Sequence, residues 1–188
     1  MSGKIYPHDR LMGHTVLKLI PRGVTPNQIT IFRILLTPVV LWLLWRQDYA
    51  SGIILFLFVA FTDAVDGSLA RMRDQVTPWG MVWDPVADKL LIGSVVALLL
   101  FRHFPVELIV VIFGLEAAFL VGGYYRKRQG IIVSANWYGK IKMICQVFGV
   151  TLFLLFLKTG FAALVPVSYG VFVLAALLAL GSLFKHGL

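Results

Sequence analysis

The sequence predicts an all-α integral membrane protein, with six transmembrane helices and an N-terminal amphipathic helix in the membrane interface. Of its 188 residues, 59% are hydrophobic and 14% are charged, whereas soluble domains average about 45–50% apolar and about 25% charged residues. The mean hydropathy is +0.86. The apolar runs are continuous, not alternating, and each approaches the roughly 20 residues that a helix needs to cross the hydrocarbon core. Helices are therefore the predicted spanning elements.

Helix-start signals mark the beginnings of several apolar segments. Pro26 follows Thr25, and Pro78 follows Thr77, which combines an N-cap threonine with a first-turn proline. Pro105 opens the fourth segment in a similar way. The predicted spans are residues 26–47, 51–73, 79–101, 105–125, 136–157 and 161–184.

The residues before the first span form a separate segment, so the chain divides into residues 1–25 and a six-helix domain over residues 26–188. Apolar residues within 8–20 recur in roughly helical register with basic groups between them, as in helices that lie in a membrane interface. A frayed tail is the alternative. The segment has no uninterrupted apolar core with a cleavage site, so we do not expect a cleaved signal peptide.

Basic residues predict the orientation. An even number of spans puts both termini on one side, and that side carries ten basic residues at or beyond the span ends, against three on the other. The positive-inside rule then places both termini in the cytoplasm. The formal net charge of +8 fits this asymmetry, and we do not expect a nucleic-acid partner.

Four aspartates stand where lipid would otherwise be expected. Asp63 and Asp66 are three residues apart at the end of the second span, and Asp84 and Asp88 are four apart near the start of the third. Each spacing puts a pair on one helix face, and a tight turn near residues 74–78 allows both pairs to converge. Ionised carboxylates in a membrane cost several kcal/mol each unless they are neutralised. Oxygen-only ligands indicate a hard divalent cation such as Mg²⁺, Mn²⁺ or Ca²⁺.

The residues between the aspartates suit a phosphate ligand. Gly67 and Gly80 leave room for a close approach, Ala70 is small, and Arg71 supplies a fork of permanently charged donors. Carboxylates, a divalent metal and an arginine together favour phosphoryl transfer. The alternative for the four carboxylates is a set of separate salt bridges to Arg71, Arg73 and Lys89.

The complete pattern resembles a known family signature. It reads Asp63-x2-Asp66-Gly67-x2-Ala70-Arg71-x8-Gly80-x3-Asp84-x3-Asp88. This resembles the signature of the CDP-alcohol phosphotransferases, also called phosphatidyltransferases, at all eight fixed positions. The six-helix layout and the amphipathic N-terminal segment extend the resemblance over essentially the whole chain.

The resemblance implies an enzyme that displaces CMP from a CDP-linked lipid or alcohol by the hydroxyl of a second alcohol. By position, Asp63, Asp66 and Asp84 would bind Mg²⁺ or Mn²⁺, and Asp88 would be both a metal ligand and the general base. The CDP pocket would be lined by Gly67, Ala70, Arg71 and Gly80. Family members are homodimers, so a homodimer is expected, with its active site at the cytoplasmic membrane edge.

Two further stretches resemble the bacterial phosphatidylglycerophosphate synthases of this family. In TPNQITIFRI, residues 25–34, the resemblance implies that Asn27 and Thr30 lie near the CDP group and that Arg33 lies near the acceptor. Helix capping by Asn27 and interfacial snorkelling by Arg33 are the alternatives. In NWYGKIKMICQ, residues 136–146, Lys140 and Lys142 match the basic positions of the same enzymes.

Basic residues at these positions would suit an acceptor that carries its own phosphate. Arg126 is the nearest arginine after the fourth span, and it is the remaining candidate for the acceptor site. The implied reaction transfers the phosphatidyl group of CDP-diacylglycerol to sn-glycerol 3-phosphate in a bacterial inner or plasma membrane. Inositol phosphate, serine, choline or another alcohol is the alternative acceptor, and the lysines could instead serve only the positive-inside rule.

Other classes of protein also carry carboxylates in the membrane. A divalent-cation channel or transporter predicts carboxylates spread over the membrane depth, whereas here they cluster near one face with glycine and arginine between them. A membrane prenyltransferase would have two aspartate-rich stretches in widely separated helices. The clustering favours the transferase.

Overall fold

The computed structural model describes residues 9, 12–13, 15–21, 23–103 and 137–185, and for residues 137–140 and 179–185 it describes the backbone alone. All regular structure in this part is helical. The helices are α1 (Val16–Leu19), α2 (Pro26–Trp45), α3 (Tyr49–Met72), α4 (Pro78–His103), α5 (Trp137–Thr159) and α6 (Leu164–Lys185). Five of the six predicted spans are thus confirmed as helices. The fourth, residues 105–125, lies outside the described residues.

Several of these helices have the properties of membrane spans. Pro26–Trp45, Tyr49–Met72 and Ile141–Thr159 are long and apolar enough to cross a bilayer, and Leu164–Leu178 is a shorter apolar stretch. Their outward faces carry large apolar side chains, such as Leu35 (66% exposed) and Ile54 (71% exposed). Surfaces of this kind are stable in lipid but costly in water. The predicted all-α membrane fold is confirmed.

The two predicted threonine caps are present. Thr25 Oγ1 accepts a hydrogen bond from the Gln28 backbone N–H at 3.3 Å, and Gln28 Oε1 accepts one from the Thr25 N–H at 2.9 Å. This reciprocal capping box satisfies two donors that the start of a helix otherwise leaves unpaired. Thr77 Oγ1 accepts from the Gly80 N–H at 3.0 Å at the start of α4. Helices α2 and α4 therefore begin where the sequence predicted, at Pro26 and Pro78.

The chain divides into two compact units, Met1–Val95 and Val96–Leu188. In the first, α2 and α3 form a helical hairpin, and α1 lies against α3. Leu17 of α1 is buried with Val65 and Leu69 of α3. The apolar side of the N-terminal segment therefore packs on the protein.

The second unit contains a closely packed helix pair. Helices α5 and α6 lie against each other, and a Cβ at Gly149 would lie 3.2 Å from two ring atoms of Phe172. The glycine lets the phenylalanine ring approach the backbone of α5. Val150 and Leu154 are fully buried on the same helix.

Candidate active site

The four signature aspartates lie on two helices of the first unit. Asp63 and Asp66 are on α3, and Asp84 and Asp88 are in the first turns of α4. Asp66 is 1% exposed and Asp88 8% exposed, whereas the Asp63 side chain keeps 34% of its surface accessible. The predicted tight turn between the two pairs is confirmed, since α3 ends at Met72 and α4 begins at Pro78.

Arg33 of α2 joins the two aspartates of α3. Its Nη1 donates to Asp63 Oδ1 at 2.7 Å, and its Nη2 donates to Asp66 Oδ2. The guanidinium is fully buried, and its Nε has no hydrogen-bond acceptor among the described residues. Two carboxylates in a buried site repel each other, and a guanidinium between them neutralises part of that charge. Arg33 therefore lies inside the aspartate cluster and does not snorkel to the interface.

Thr30 connects this cluster to α4. Its hydroxyl oxygen lies 2.6 Å from Asp84 Oδ1 and 3.4 Å from Asp66 Oδ2. A threonine hydroxyl has one hydrogen to donate, so the short contact identifies Asp84 as the main acceptor. Thr30 is fully buried one turn before Arg33. One face of α2 thus gathers Asp63, Asp66 and Asp84 into one site.

The donor chemistry of this site fits a hard divalent cation, because its ligands are carboxylate and hydroxyl oxygens. Over the described ranges, no three His, Cys, Asp or Glu side chains already stand at metal-binding distances. The Arg33 guanidinium holds the place between Asp63 and Asp66 where positive charge is needed. The assignment of Asp63, Asp66, Asp84 and Asp88 as metal ligands stays a prediction.

Separate salt bridges to Arg71, Arg73 and Lys89 were the alternative explanation for the four carboxylates. Arg71 and Arg73 each have another partner. Arg71 forms an ion pair with Asp9. Arg73 donates to the backbone carbonyls of Ile20 and Val24 at 2.9 and 3.0 Å. Asp63 and Asp66 instead form ion pairs with Arg33 of α2.

The start of α4 carries a group of polar atoms around Gly80. A Cβ at Gly80 would lie 3.2 Å from Asn27 Oδ1, 3.2 Å from Thr77 Oγ1 and 3.4 Å from Asp84 Oδ2. Asn27 Oδ1 also accepts from Thr77 Oγ1 at 2.9 Å. Asn27 therefore bonds to the start of α4, while Thr25 caps its own helix. The structure brings Asn27, Gly80 and Asp84 together. The assignment of Asn27 and Gly80 to a CDP pocket stays a prediction.

A second group surrounds Gly67 on α3. The position of a Gly67 Cβ lies 3.3 Å from Arg71 Nη1, so the guanidinium covers the glycine. Asp9, which is fully buried, accepts from Arg71 and from Ser68. Ala70 is half-buried on the same helix. Gly67 and Arg71 are therefore in contact. The assignment of Gly67, Ala70 and Arg71 to a CDP pocket stays a prediction.

The remaining acceptor-site candidates lie elsewhere in the chain. Lys142 is half-buried on α5, and Lys140 is on the first turn of that helix, where only the backbone is described. Arg126 lies outside the described residues. Their assignment to an acceptor site stays a prediction.

Sequence reasoning did not select Asp9, Ser68 or Thr77 as site residues. A signal was present for Asp9, which is the only acidic residue among the first 25. Ser68 and Thr77 have short polar side chains of a kind common at helix ends and on helix surfaces. Their roles depend on which helix lies opposite, and the linear pattern does not contain that information.

Comparisons with known proteins agree with the signature. A family model for CDP-alcohol phosphatidyltransferases matches residues 23–181. A protein of Rickettsia typhi named CDP-diacylglycerol--glycerol-3-phosphate 3-phosphatidyltransferase is 33% identical over 135 residues, which cover 69% of this chain and 75% of that protein. A protein of Bacillus subtilis with the same name is 34% identical over 146 residues, covering 69% of this chain and 76% of that protein.

Proposed function

Because the chain belongs to the CDP-alcohol phosphatidyltransferase family, we propose that it transfers the phosphatidyl group of CDP-diacylglycerol to sn-glycerol 3-phosphate and releases CMP. The observation that carries this proposal is the joining of three signature aspartates by Arg33 and Thr30 in one partly buried site. The names of its relatives favour glycerol 3-phosphate as the acceptor. Inositol phosphate, serine, choline or another alcohol remains the alternative.

Members of this family use a divalent metal ion, and we propose Mg²⁺ or Mn²⁺ here. The residues that would hold it are Asp63, Asp66, Asp84 and Asp88. When bound, the ion would supply positive charge beside the pyrophosphate of the donor. The side chains around Gly67 and Gly80 would receive the CDP group, in a pocket to which Asn27, Thr30, Ala70 and Arg71 also contribute.

The chemical step is a displacement at the phosphatidyl phosphorus. The acceptor hydroxyl oxygen forms a new bond to that phosphorus, the pyrophosphate bond breaks, and CMP leaves with the bonding electrons. Asp88 takes the proton of the hydroxyl. A carboxylate within hydrogen-bond reach of the acceptor hydroxyl can take up its proton. Asp88 is 8% exposed and lies one turn after Asp84.

The acceptor phosphate would be bound by basic side chains. Lys140, Lys142 and Arg126 are three of the candidates, and their positive charge suits a phosphorylated alcohol. Arg33 is the fourth candidate. Its hydrogen bonds to Asp63 and Asp66 indicate that it would act on the acceptor from within the cluster.

The chain is an integral membrane protein, and the proposed reaction requires a bilayer that contains CDP-diacylglycerol. We propose the inner or plasma membrane of a bacterium, with both termini and the active site facing the cytoplasm. The support is the excess of basic residues on one side, ten against three. A homodimer is part of the same proposal.

The test is CMP release by the purified protein with CDP-diacylglycerol and either Mg²⁺ or Mn²⁺. The acceptors are glycerol 3-phosphate, inositol 1-phosphate, inositol, serine and choline, each assayed separately. Asp88→Asn should abolish release. Asp74→Asn is the matched control, because Asp74 is an exposed carboxylate in the turn between α3 and α4, outside the signature.

Release with glycerol 3-phosphate alone, lost in Asp88→Asn and kept in Asp74→Asn, supports the proposal. Release with a different acceptor would support the same transfer of the phosphatidyl group, with that alcohol in place of glycerol 3-phosphate. Folded protein that releases no CMP with any acceptor contradicts the proposal.

A further inference from the structure

The N-terminal segment reaches the site through one buried carboxylate. Asp9 Oδ2 lies 2.8 Å from Arg71 Nε, and Asp9 Oδ1 lies 2.7 Å from Arg71 Nη2. Ser68 Oγ donates to the same Oδ1 at 2.7 Å. Asp9 is fully buried, and the Arg71 side chain is 26% exposed. The pair is bidentate, which is the strongest and most directional form of this contact.

We propose that Asp9 is a positioning residue, which orients the Arg71 guanidinium for the CDP group of the donor. The inference rests on the proposed function, because the family signature assigns Arg71 to the nucleotide pocket. Asp9 itself lies outside that signature.

The geometry fixes the guanidinium in a definite direction. An arginine side chain loses considerable rotamer freedom when it is ordered, and two parallel hydrogen bonds to one carboxylate define the plane of its fork. Asp9 uses the edge formed by Nε and Nη2. Nη1 then lies over Gly67, 3.3 Å from the position of a Cβ, where a side chain would obstruct an approaching phosphate.

A simpler role for Asp9 would be to tether the N-terminal segment to α3. Other contacts already provide that tether. Leu17 is buried against Val65 and Leu69, and Arg73 donates to the carbonyls of Ile20 and Val24. Arg73, just after the end of α3, thus holds the backbone of the segment, whereas Asp9, the only acidic residue among the first 25, contacts the arginine that belongs to the signature.

Charge and orientation make opposite predictions for Asp9→Asn. The substitution removes a negative charge beside Arg71, so a role limited to net charge predicts tighter binding of an anionic nucleotide. An asparagine also replaces one acceptor oxygen by an NH₂ donor, which faces the guanidinium donors and turns them away. Positioning therefore predicts weaker binding. The sign of the change separates the two explanations.

The experiment measures KM for CDP-diacylglycerol, KM for glycerol 3-phosphate, kcat and CDP binding by calorimetry in wild type, Asp9→Asn, Asp9→Glu and Leu17→Ala. In Asp9→Asn, KM for CDP-diacylglycerol and the Kd of CDP should rise about tenfold, the effect of losing one charge-assisted hydrogen bond. KM for glycerol 3-phosphate should stay within about twofold, since losing a distant contact of this kind leaves its binding groups in place. Asp9→Glu keeps the carboxylate and should recover part of the affinity.

Two controls separate positioning from tethering. Leu17 packs on Val65 and Leu69 and takes no part in the ion pair between Asp9 and Arg71. Leu17→Ala should therefore loosen the N-terminal segment and lower the thermal midpoint, and it should leave the Kd of CDP unchanged. Arg71→Lys removes the fork, so adding Asp9→Asn to it should raise the Kd of CDP no further. An Asp9→Asn protein with unchanged or tighter CDP binding overturns the inference, as does equal loss of CDP affinity in Leu17→Ala. If wild type releases CMP, such a result leaves the proposed function intact. Wild type that neither binds CDP nor releases CMP overturns both.

Discussion

The two ends of the α2–α3 hairpin are held together by different kinds of interaction. At one end, Arg33 lies between Asp63 and Asp66, and all three side chains are ionisable. At the other end, the buried Leu44 packs directly on Gly52, and Asp48 caps the start of α3. One end therefore depends on buried charge, and the other on close apolar packing and a local cap.

This difference indicates where function has shaped the hairpin. Apolar contacts of the Leu44–Gly52 kind hold two helices together without burying charge. Buried ion pairs contribute little net stability, because removing both charges from water costs about as much as their attraction returns. The charged end of this apolar hairpin is thus better explained by a functional site than by a contribution to the stability of the fold. Removing one partner at either end tests this comparison.

The largest effect is expected for Arg33→Met. It leaves Asp63 and Asp66 facing each other without a counter-charge, and breaking a buried pair in this way costs about 3–5 kcal/mol. The measurement is the free energy of unfolding in detergent micelles, without divalent ions. Arg46→Met is the matched control at the opposite end, where the guanidinium lies 5.1 Å from the Trp42 ring in an exposed cation–π contact. That loss should be about 0.5–1 kcal/mol.

Adding Mg²⁺ or Mn²⁺ to the same experiment tests whether the aspartates bind a divalent cation. If the aspartates bind a divalent cation, the ion replaces the missing charge and restores part of the stability of Arg33→Met. Equal destabilisation by Arg33→Met and Arg46→Met would contradict the contrast between the two ends. If divalent ions do not change the free energy of unfolding of Arg33→Met, that result would contradict the assignment of Asp63 and Asp66 as metal ligands.

A smaller effect is expected for Gly52→Ala at the apolar end. The new Cβ would lie 2.5 Å from Leu44 Cδ2 and 3.2 Å from Leu44 Cγ, and Leu44 is only 1% exposed. Overpacking costs about 1–3 kcal/mol, and alanine regains about 1 kcal/mol of helix propensity. The net loss should therefore be about 1 kcal/mol in the same unfolding assay.

Gly93→Ala is the control for helix propensity alone. Gly93 lies within α4, and nothing described lies within 4 Å of its Cβ position, so this substitution should be neutral or stabilising. Gly52→Ala in a Leu44→Ala background should cost nothing further. A cost that persists there would show that Leu44 is not the obstacle.

The smallest effect is expected from the Asp48 cap, and only at low pH. Asp48 Oδ1 accepts from the Ser51 N–H at 3.2 Å, and hydrogen bonds from Ser51 lower the pKa of this exposed carboxylate below its ordinary value. A lowered pKa stabilises the fold fully above the unfolded value of about 3.9, and the contribution is lost as the pH falls below it. Asp48→Ser keeps a capping oxygen that does not titrate in this range.

The measurement is the thermal midpoint of wild type and Asp48→Ser between pH 7 and pH 3. Acidification should lower the wild-type midpoint slightly more than that of the variant. An identical pH dependence would mean that the capping bond contributes no stability.

Sequence patterns predicted the features that depend on short stretches of chain. The Thr25–Pro26 and Thr77–Pro78 pairs identified two helix starts, because a cap and its partners lie within four residues of each other. The spacing of Asp63 and Asp66 placed both on one helix face for the same reason. The signature also identified the family, which the family model and the relatives confirmed.

Patterns were less informative where distant residues meet. Arg33 was predicted near an acceptor or at the interface, and the structure buries it between two carboxylates 30 and 33 positions later in the chain. Asp9 was not singled out, yet it contacts Arg71, 62 positions away. Neither pairing has a fixed spacing that a linear pattern could reveal.

The membrane class, two helix starts, the signature and the family could all be predicted from the sequence alone, because hydropathy, capping and motif spacing act over a few turns of chain. The tertiary structure was needed to identify which cation neutralises Asp63 and Asp66, which hydroxyl bonds to Asp84, and which carboxylate contacts Arg71. Buried charges require partners at hydrogen-bond distance, and the packing of whole helices selects those partners.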